Sequence, residues 1–201
     1  MAQSRLGLAV ASLLLVAGCK GQADTSPEEA FVRLLDACDS GDGAKLFDAF
    51  DTNTQWAIET VHKADREMRQ LVIDTYPPET RDAALARLPA ACEEDLERPR
   101  RFFRRLDASA EILADLKRRI YAGTGQPVGS VRKKEGIAEV WREGGSIFHF
   151  ARDDKGRWGF NEQREMWERE KERALHEVDT VRRNADLYRK AKGGAPAGKG
   201  T

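Results

Sequence analysis

The chain has 201 residues, of which 40% are hydrophobic and 34% charged, and its 34 basic and 34 acidic side chains leave a formal net charge of zero. That balance excludes a global field able to gather nucleic acid or an anionic membrane, so any such role needs a local patch. The length suits one domain with extensions, and the charge density predicts a small core covered by salt-rich helices.

The first element is an export signal. Arg5 is followed by an uncharged run from Leu6 to Ala17, closed by Val16-Ala17-Gly18-Cys19. Twelve residues at ~1.5 Å each reach roughly 18 Å, short of the ~30 Å hydrocarbon core of a bilayer, which favours a removable signal over a spanning helix. The residues before Cys19 resemble the lipobox of bacterial lipoproteins. The resemblance implies that residues 1–18 are cut away as a signal peptide, that Cys19 is diacylated, and that its new N-terminus is acylated, with palmitate a typical chain. An ordinary signal peptide with a chance cysteine is the alternative. Residues 19–26 then form a lipidated tether. By the same resemblance, Lys20 in place of aspartate favours the outer membrane, with the domain in the periplasm or at the cell surface.

Export bears on the three cysteines. With Cys19 lipidated, Cys38 and Cys92 remain in an oxidising compartment. A disulfide between them closes a loop of roughly 55 residues and contributes up to about 4 kcal/mol in the chain-entropy account. The other reading is two buried free thiols, packed as small hydrophobes.

Ser26-Pro27-Glu28-Glu29 predicts a helix start, with Ser26 as cap, Pro27 in the first turn and Glu29 completing a capping box. Ala30, Phe31, Leu34, Leu35 and Cys38 give that helix an apolar face, and Asp39–Gly43 ends it. Leu46, Phe47 and Phe50 mark a short second helix. A longer helical period runs from Gln55 to Asp74 through Ile58, Val61, Met68, Leu71 and Val72, until Tyr76-Pro77-Pro78 stops it. Further helices are expected at Arg81–Leu88 and Asp107–Tyr121, the latter with Ile112, Leu113, Leu116 and Ile120 inward.

Beyond Pro127 the period changes. Gly136–Glu143 alternates polar and apolar groups, with Ala138 and Val140 opposed to Glu139; Gly144-Gly145 is a two-residue hairpin signal, Ser146–Arg152 is its partner strand, and Asp153–Gly156 turns into a third strand at Arg157–Phe160. A preceding strand near Gly129–Lys133 is weaker. The sequence thus predicts an α+β fold: a helical N-terminal half packed on a 3–4-stranded antiparallel meander, followed by a long C-terminal helix. That helix occupies residues 162–191, and the Gly-rich tail 192–201 is expected to be disordered. Trp167, Ala174, Val178, Val181, Ala185 and Tyr188 recur along it at coiled-coil spacing, a seam for a partner or second copy; in the alternative, Trp167 and Leu175 pack on the domain itself while the end of the helix projects into solvent.

Two pieces of the 27–161 domain resemble the nuclear-transport-factor-2-like (NTF2-like) superfamily. They are Ser26–Asp42 with Leu46-Phe47, and Ile137–Gly145 continuing through Asp154-Lys-Gly-Arg-Trp-Gly-Phe160. The resemblance implies a curved sheet wrapped on helices to form a cone with a pocket at its wide end. The helical stretch 54–121 and the extension 163–190 depart from that pattern.

Few residues carry chemistry. Glu59 and His62 share a helical face at the spacing of di-iron ligands, but a surface pair with Asp65 nearby is the simpler reading. His149, with Trp141 and Trp158, is a candidate lining of the cone pocket, where its imidazole could act as acid or base; a solvent-facing histidine is the alternative. No metal or cofactor site and no nucleophilic triad is read. Arg98–Arg105, with Phe102 and Phe103 between arginines, is the densest basic patch, either a head-group or acidic-partner site or a helix with Phe102, Phe103 and Leu106 inward; export argues against nucleic acid. The resulting expectation is a lipid-anchored envelope protein with a binding or assembly module rather than an enzyme, its partner an envelope protein or a second copy. The alternative is a small-molecule-binding or enzymatic NTF2-like domain using a cone pocket.

Overall fold

A computed structural model describes residues 26–88, 99, 103, 106–122, 129–142 and 145–193. The signal peptide, Cys19, Cys92, the tail 194–201 and all the arginines of the 98–105 patch lie outside the described residues.

Helix α1 (Pro27–Ser40) begins as its sequence requires: the Glu29 amide donates to Ser26 Oγ at 3.2 Å and the Ser26 amide to Glu29 Oε2 at 3.2 Å. Both orphan amides are thereby satisfied. It ends at Gly41 in the left-handed conformation, φ 63°. Asp42 then caps α2 (Gly43–Ala49) by accepting from the Ala44 amide. The chain runs extended through Phe50, which pairs in parallel with Phe160, and Asp51 caps α3 (Thr52–Thr75). Tyr76 is extended before Pro77, and α4 (Pro78–Leu85) starts with Pro78 in its first turn, three residues earlier than the expected Arg81. Helix α5 (Asp107–Tyr121) has the expected limits and buries Ile112, Leu113, Leu116 and Ile120.

The sheet is a four-stranded antiparallel meander in sequence order, β1 (Ser130–Lys134), β2 (Ile137–Trp141), β3 (Ile147–Arg152) and β4 (Trp158–Phe160). Two connections differ from the sequence reading. Glu135 and Gly136, both at positive φ, make a tight turn between β1 and β2, the geometry that matches strand twist. The Gly144-Gly145 connection is longer than two residues, because the Arg142 amide still bonds Ser146 O and the Gly145 amide bonds Arg142 O.

Strand alternation turns Ala138, Val140, Phe148, Phe150, Trp158 and Phe160 toward the helices. A continuous run of rings fills that side: Phe148 lies 5.1 Å from Phe31, Phe31 6.3 Å from Phe150, Phe150 5.9 Å from Phe160, and Phe160 6.2 Å from Phe50. Phe103 carries it onward, 5.5 Å from Phe50 and 5.7 Å from Trp167 of the last helix. Phe103 of the arginine-rich segment is therefore an inward residue. Gly159 admits the approach of α3: a Cβ there would stand 2.4 Å from the Asp51 Cα. Cys38 is a buried free thiol, and no disulfide occurs among the described residues. Burial, with the Asp39 charge adding and Lys117 opposing, pushes this thiol up to about 11.

Helix α6 (Arg164–Gly193) runs parallel to α3. Asp51 and Arg164 meet at their starts at 2.9 Å, Arg182 bonds Glu67 through two nitrogens at 2.6 and 2.8 Å, and the Tyr76 and Tyr188 rings lie 4.9 Å apart at their ends. Both carry a buried stripe: Thr54, Ile58, Val61, Asp65, Met68, Val72 and Thr75 at alternating four- and three-residue steps on α3, and Trp167, Ala174, Val178 and Ala185 at seven- and four-residue steps on α6. Val181 and Tyr188 pack beside Val72, Tyr76 and Ala185. This overturns the partner-seam reading of Trp167, Ala174, Val178, Val181, Ala185 and Tyr188. A heptad stripe reports that a helix needs a neighbour, and here α3 of the same chain is that neighbour.

Candidate functional site

The expected pocket trio is not brought together. Trp141 and His149 lie on the outer face of the sheet, because Trp141 pairs with Ile147 and Glu139 with His149. Trp158, 6% exposed, faces the helices, since it stands two residues from Phe160 and opposite Arg152. Successive strand residues alternate faces, so His149 and Trp158 point to opposite sides.

Around His149 the outer face carries an ionic chain. Just past β4, Glu162 Oε1 accepts from the His149 amide at 3.0 Å and lies 3.2 Å from His149 Nδ1. Glu162 also receives Arg119 Nη1 at 2.6 Å and Nη2 at 3.1 Å, while Nη2 bonds the Ile147 carbonyl at 2.6 Å. The Arg119 guanidinium stacks 4.6 Å from the Phe148 ring centre. The hydrogen bond to Glu162, against the effect of burial, raises the Arg119 group above its ordinary value. On the far side His149 Nε2 stands 4.0 Å from Glu139 Oε1, and Glu139 accepts from Trp141 Nε1 at 3.1 Å. The imidazole's partners are carboxylates, so what this cluster does in the structure is tie β3, the end of α5 and the approach to α6 together.

Further in, Asp51 joins the two long helices. Its carboxylate takes the Asn53 and Thr54 amides, the Thr54 hydroxyl at 2.5 Å and Arg164 Nη2 at 2.9 Å. Asp153 closes the β3–β4 turn beside it. Burial alone would raise its carboxyl, but the Thr52 hydroxyl, the Arg157 and Lys155 amides and the Arg157 charge hold it below its ordinary value. His62 is 2% exposed on α3 and Asp65 is also buried, whereas Glu59 is half-buried. The surface pair expected from the sequence is therefore corrected: His62 belongs to the inner face of α3. Among the described residues no three His, Cys, Asp or Glu side chains gather closely enough to hold a metal ion.

A cavity of about 370 Å³ opens where α3 and α6 meet the end of α4 and the start of α5. Its apolar lining comes from Val61, Leu88, Leu106, Met166, Trp167 and Ala174, and its charged lining from Asp65, Arg87, Asp107, Glu170, Arg173 and Glu177. Arg173 is held by Glu170 and by Glu177, the latter at 3.2 Å. Trp167 is 3% exposed, braced edge-on by Phe103, and its indole Nε1–H has no hydrogen-bond partner among the described residues. Sequence reasoning missed this site because its walls come from four helices. Its one sequence signal is a tryptophan in a stripe otherwise built of alanine and valine.

The chain matches no family model, no curated protein and no solved structure. Its function rests on this geometry. Among the described residues no helix is long and apolar enough to cross a membrane.

Proposed function

We propose that this chain is a lipid-anchored cell-envelope protein, held by acylated Cys19 at the outer membrane, whose folded part is a non-catalytic binding module. The observation that carries the reading is the cavity of about 370 Å³ between α3 and α6, lined by both apolar and charged side chains, a size and composition that suit a small-ligand site. The NTF2-like relationship belongs to the same proposal. It is supported by the helix pair α1–α2 ahead of an antiparallel meander and by Asp154-Lys155-Gly156-Arg157-Trp158 leading into β4. An envelope partner or second copy would have to use a surface other than the α6 stripe, which α3 covers.

Two measurements test this. Growth with an alkyne-tagged fatty acid labels the wild-type chain and leaves Cys19→Ser unlabelled and released from the membrane fraction; equal labelling of both removes the anchor. Saturating thermal stabilisation by a small molecule supports the binding module, and a metabolite screen with no such response removes it. A second reading, acid–base catalysis, draws on Glu162 holding His149 Nδ1, an arrangement that orients an imidazole. Any turnover found in a substrate screen must then vanish in His149→Ala.

A further inference from the structure

The outer side of α3, turned away from its seam with α6, carries a pattern that packing does not explain. Trp56, Lys63, Arg66, Gln70 and Ile73 follow one another at seven-, three-, four- and three-residue steps, which puts them on one helical face. All five are exposed, Trp56 at 72% and Ile73 at 39%. A tryptophan and an isoleucine in water, with cations between them, make the kind of helix surface that lies at a lipid interface.

Charge selects the occupant. An open groove of about 420 Å³ on this face is lined by Lys63, Arg66, Glu67, Arg69, Gln70 and Ile73. Its one acid, Glu67, already receives Arg182 through two nitrogens at 2.6 and 2.8 Å. Among the described residues the Lys63 and Arg66 side chains make no ion pair. Glu59 lies a turn before the groove and Asp74, which accepts from Gln70 Nε2 at 2.9 Å, just past it, so the cationic surplus is confined to the groove. A chain of zero net charge needs such a local patch to meet an anionic surface. We propose that this face of α3 docks on an anionic phospholipid surface, with Lys63 and Arg66 against the phosphates and Trp56 and Ile73 at the edge of the acyl layer. The inference rests on the Cys19 anchor proposed above, whose seven-residue tether to Ser26 reaches at most about 25 Å; it adds which side of the domain meets the lipid.

The test places the chain purified from membranes, its acylation read by intact mass, in nanodiscs that carry a gadolinium-chelating lipid head group. One set of discs is pure phosphatidylcholine and the other also contains phosphatidylglycerol. In the anionic discs the amide signals of Trp56, Lys63, Arg66 and Ile73 should broaden beyond those of β2 and β3. The contrast should fade in phosphatidylcholine alone and in high salt. Lys63→Gln with Arg66→Gln should lower the docked-to-undocked ratio about 25-fold, about fivefold for each cation removed. Lys134→Gln with Lys155→Gln removes the same charge at the two turns of the sheet and should leave α3 broadened.

All four substituted side chains are exposed, so both double variants should melt with the wild type. Broadening that is uniform, that centres on another element, or that ignores lipid charge overturns the docking face and leaves the anchor standing. A purified chain whose mass lacks acyl groups overturns the anchor and the docking together. Photocrosslinking from position 70 in cells should yield lipid adducts. A discrete protein adduct in their place gives this face to a protein partner and overturns the proposal.

Discussion

The sheet with α1 and the α3–α6 pair bury their surfaces in opposite ways. Against the sheet, large rings interlock from Phe148 through Phe31, Phe150, Phe160 and Phe50, and α1 caps them with both ends closed by side chain or glycine. The helix pair meets along a narrow seam, Ala174, Val178 and Ala185 of α6 lying along Ile58, Val61, Met68 and Val72 of α3, with Arg182–Glu67 outside it. Ring packing fills volume in all directions, whereas a thin seam closes only the line of contact. The two regimes meet where Phe103 braces Trp167, and Trp167 is also one of the residues lining the cavity.

The largest expected effect comes from breaking the joint between the regimes. Gly159→Ala forces a methyl into the Asp51 backbone, which cannot give way as a side-chain tip would; we expect a loss of about 3 kcal/mol or more, read as failure to recover folded protein or a collapse of the urea midpoint. A cost below about 1 kcal/mol would show that β4 and α3 are not clamped there. Next, Val178→Asp places an uncompensated charge in the seam and should cost about 2–4 kcal/mol. Hydrogen exchange should then rise along α6 and the second half of α3 while β2 and β3 keep their protection; uniform loss of protection would mean the two regions unfold as one.

Acid should act through the β3–β4 turn. Asp153 has its folded value depressed, so its contribution is present above the ordinary carboxyl range, near 3.8, and is lost as pH falls through the folded value. Asp153→Asn should therefore be less stable than wild type at pH 6, and the gap should narrow toward pH 2.5 in thermal melts; a constant gap would remove the charge from the account. The smallest effect is at Cys38. Pushed up to about 11 and buried, it should resist iodoacetamide at pH 8 in the native state and react fully in urea. Labelling of both Cys38 and Cys92 in urea without reductant excludes a bridge between them.

How much of this was legible depends on whether an element is specified locally. The α1 capping box, the limits of α5 and the inward set Ala138 and Val140 follow from nearest neighbours, and each is where its residues say. The Glu135-Gly136 turn was not read, because a left-handed glutamate leaves no mark in composition. His149 and Trp158 went to opposite faces because the register across Asp153–Gly156 is settled by hydrogen bonds of that turn, not by alternation within either strand. The α6 stripe declared its need for a neighbour, and α3 carried the answering Ile58, Val61, Met68 and Val72, but nothing local says that two stripes so far apart in the chain belong together. The cavity inherits that difficulty, since it exists only after α3 and α6 have met.

That same parallel pairing has a consequence for how the molecule comes into being. The apolar stripe of α3 leaves the ribosome, and crosses any export channel, roughly a hundred residues before the helix that covers it. Contacts so distant along the chain carry a loop-closure cost that slows their formation. Ile58, Val61, Met68 and Val72 therefore lack their α6 cover until the chain is nearly complete, and α6 is the fastener that supplies it. A chain stopped before Ala174 would keep the stripe open, a mark by which chaperones and proteases can tell an unfinished copy from a complete one.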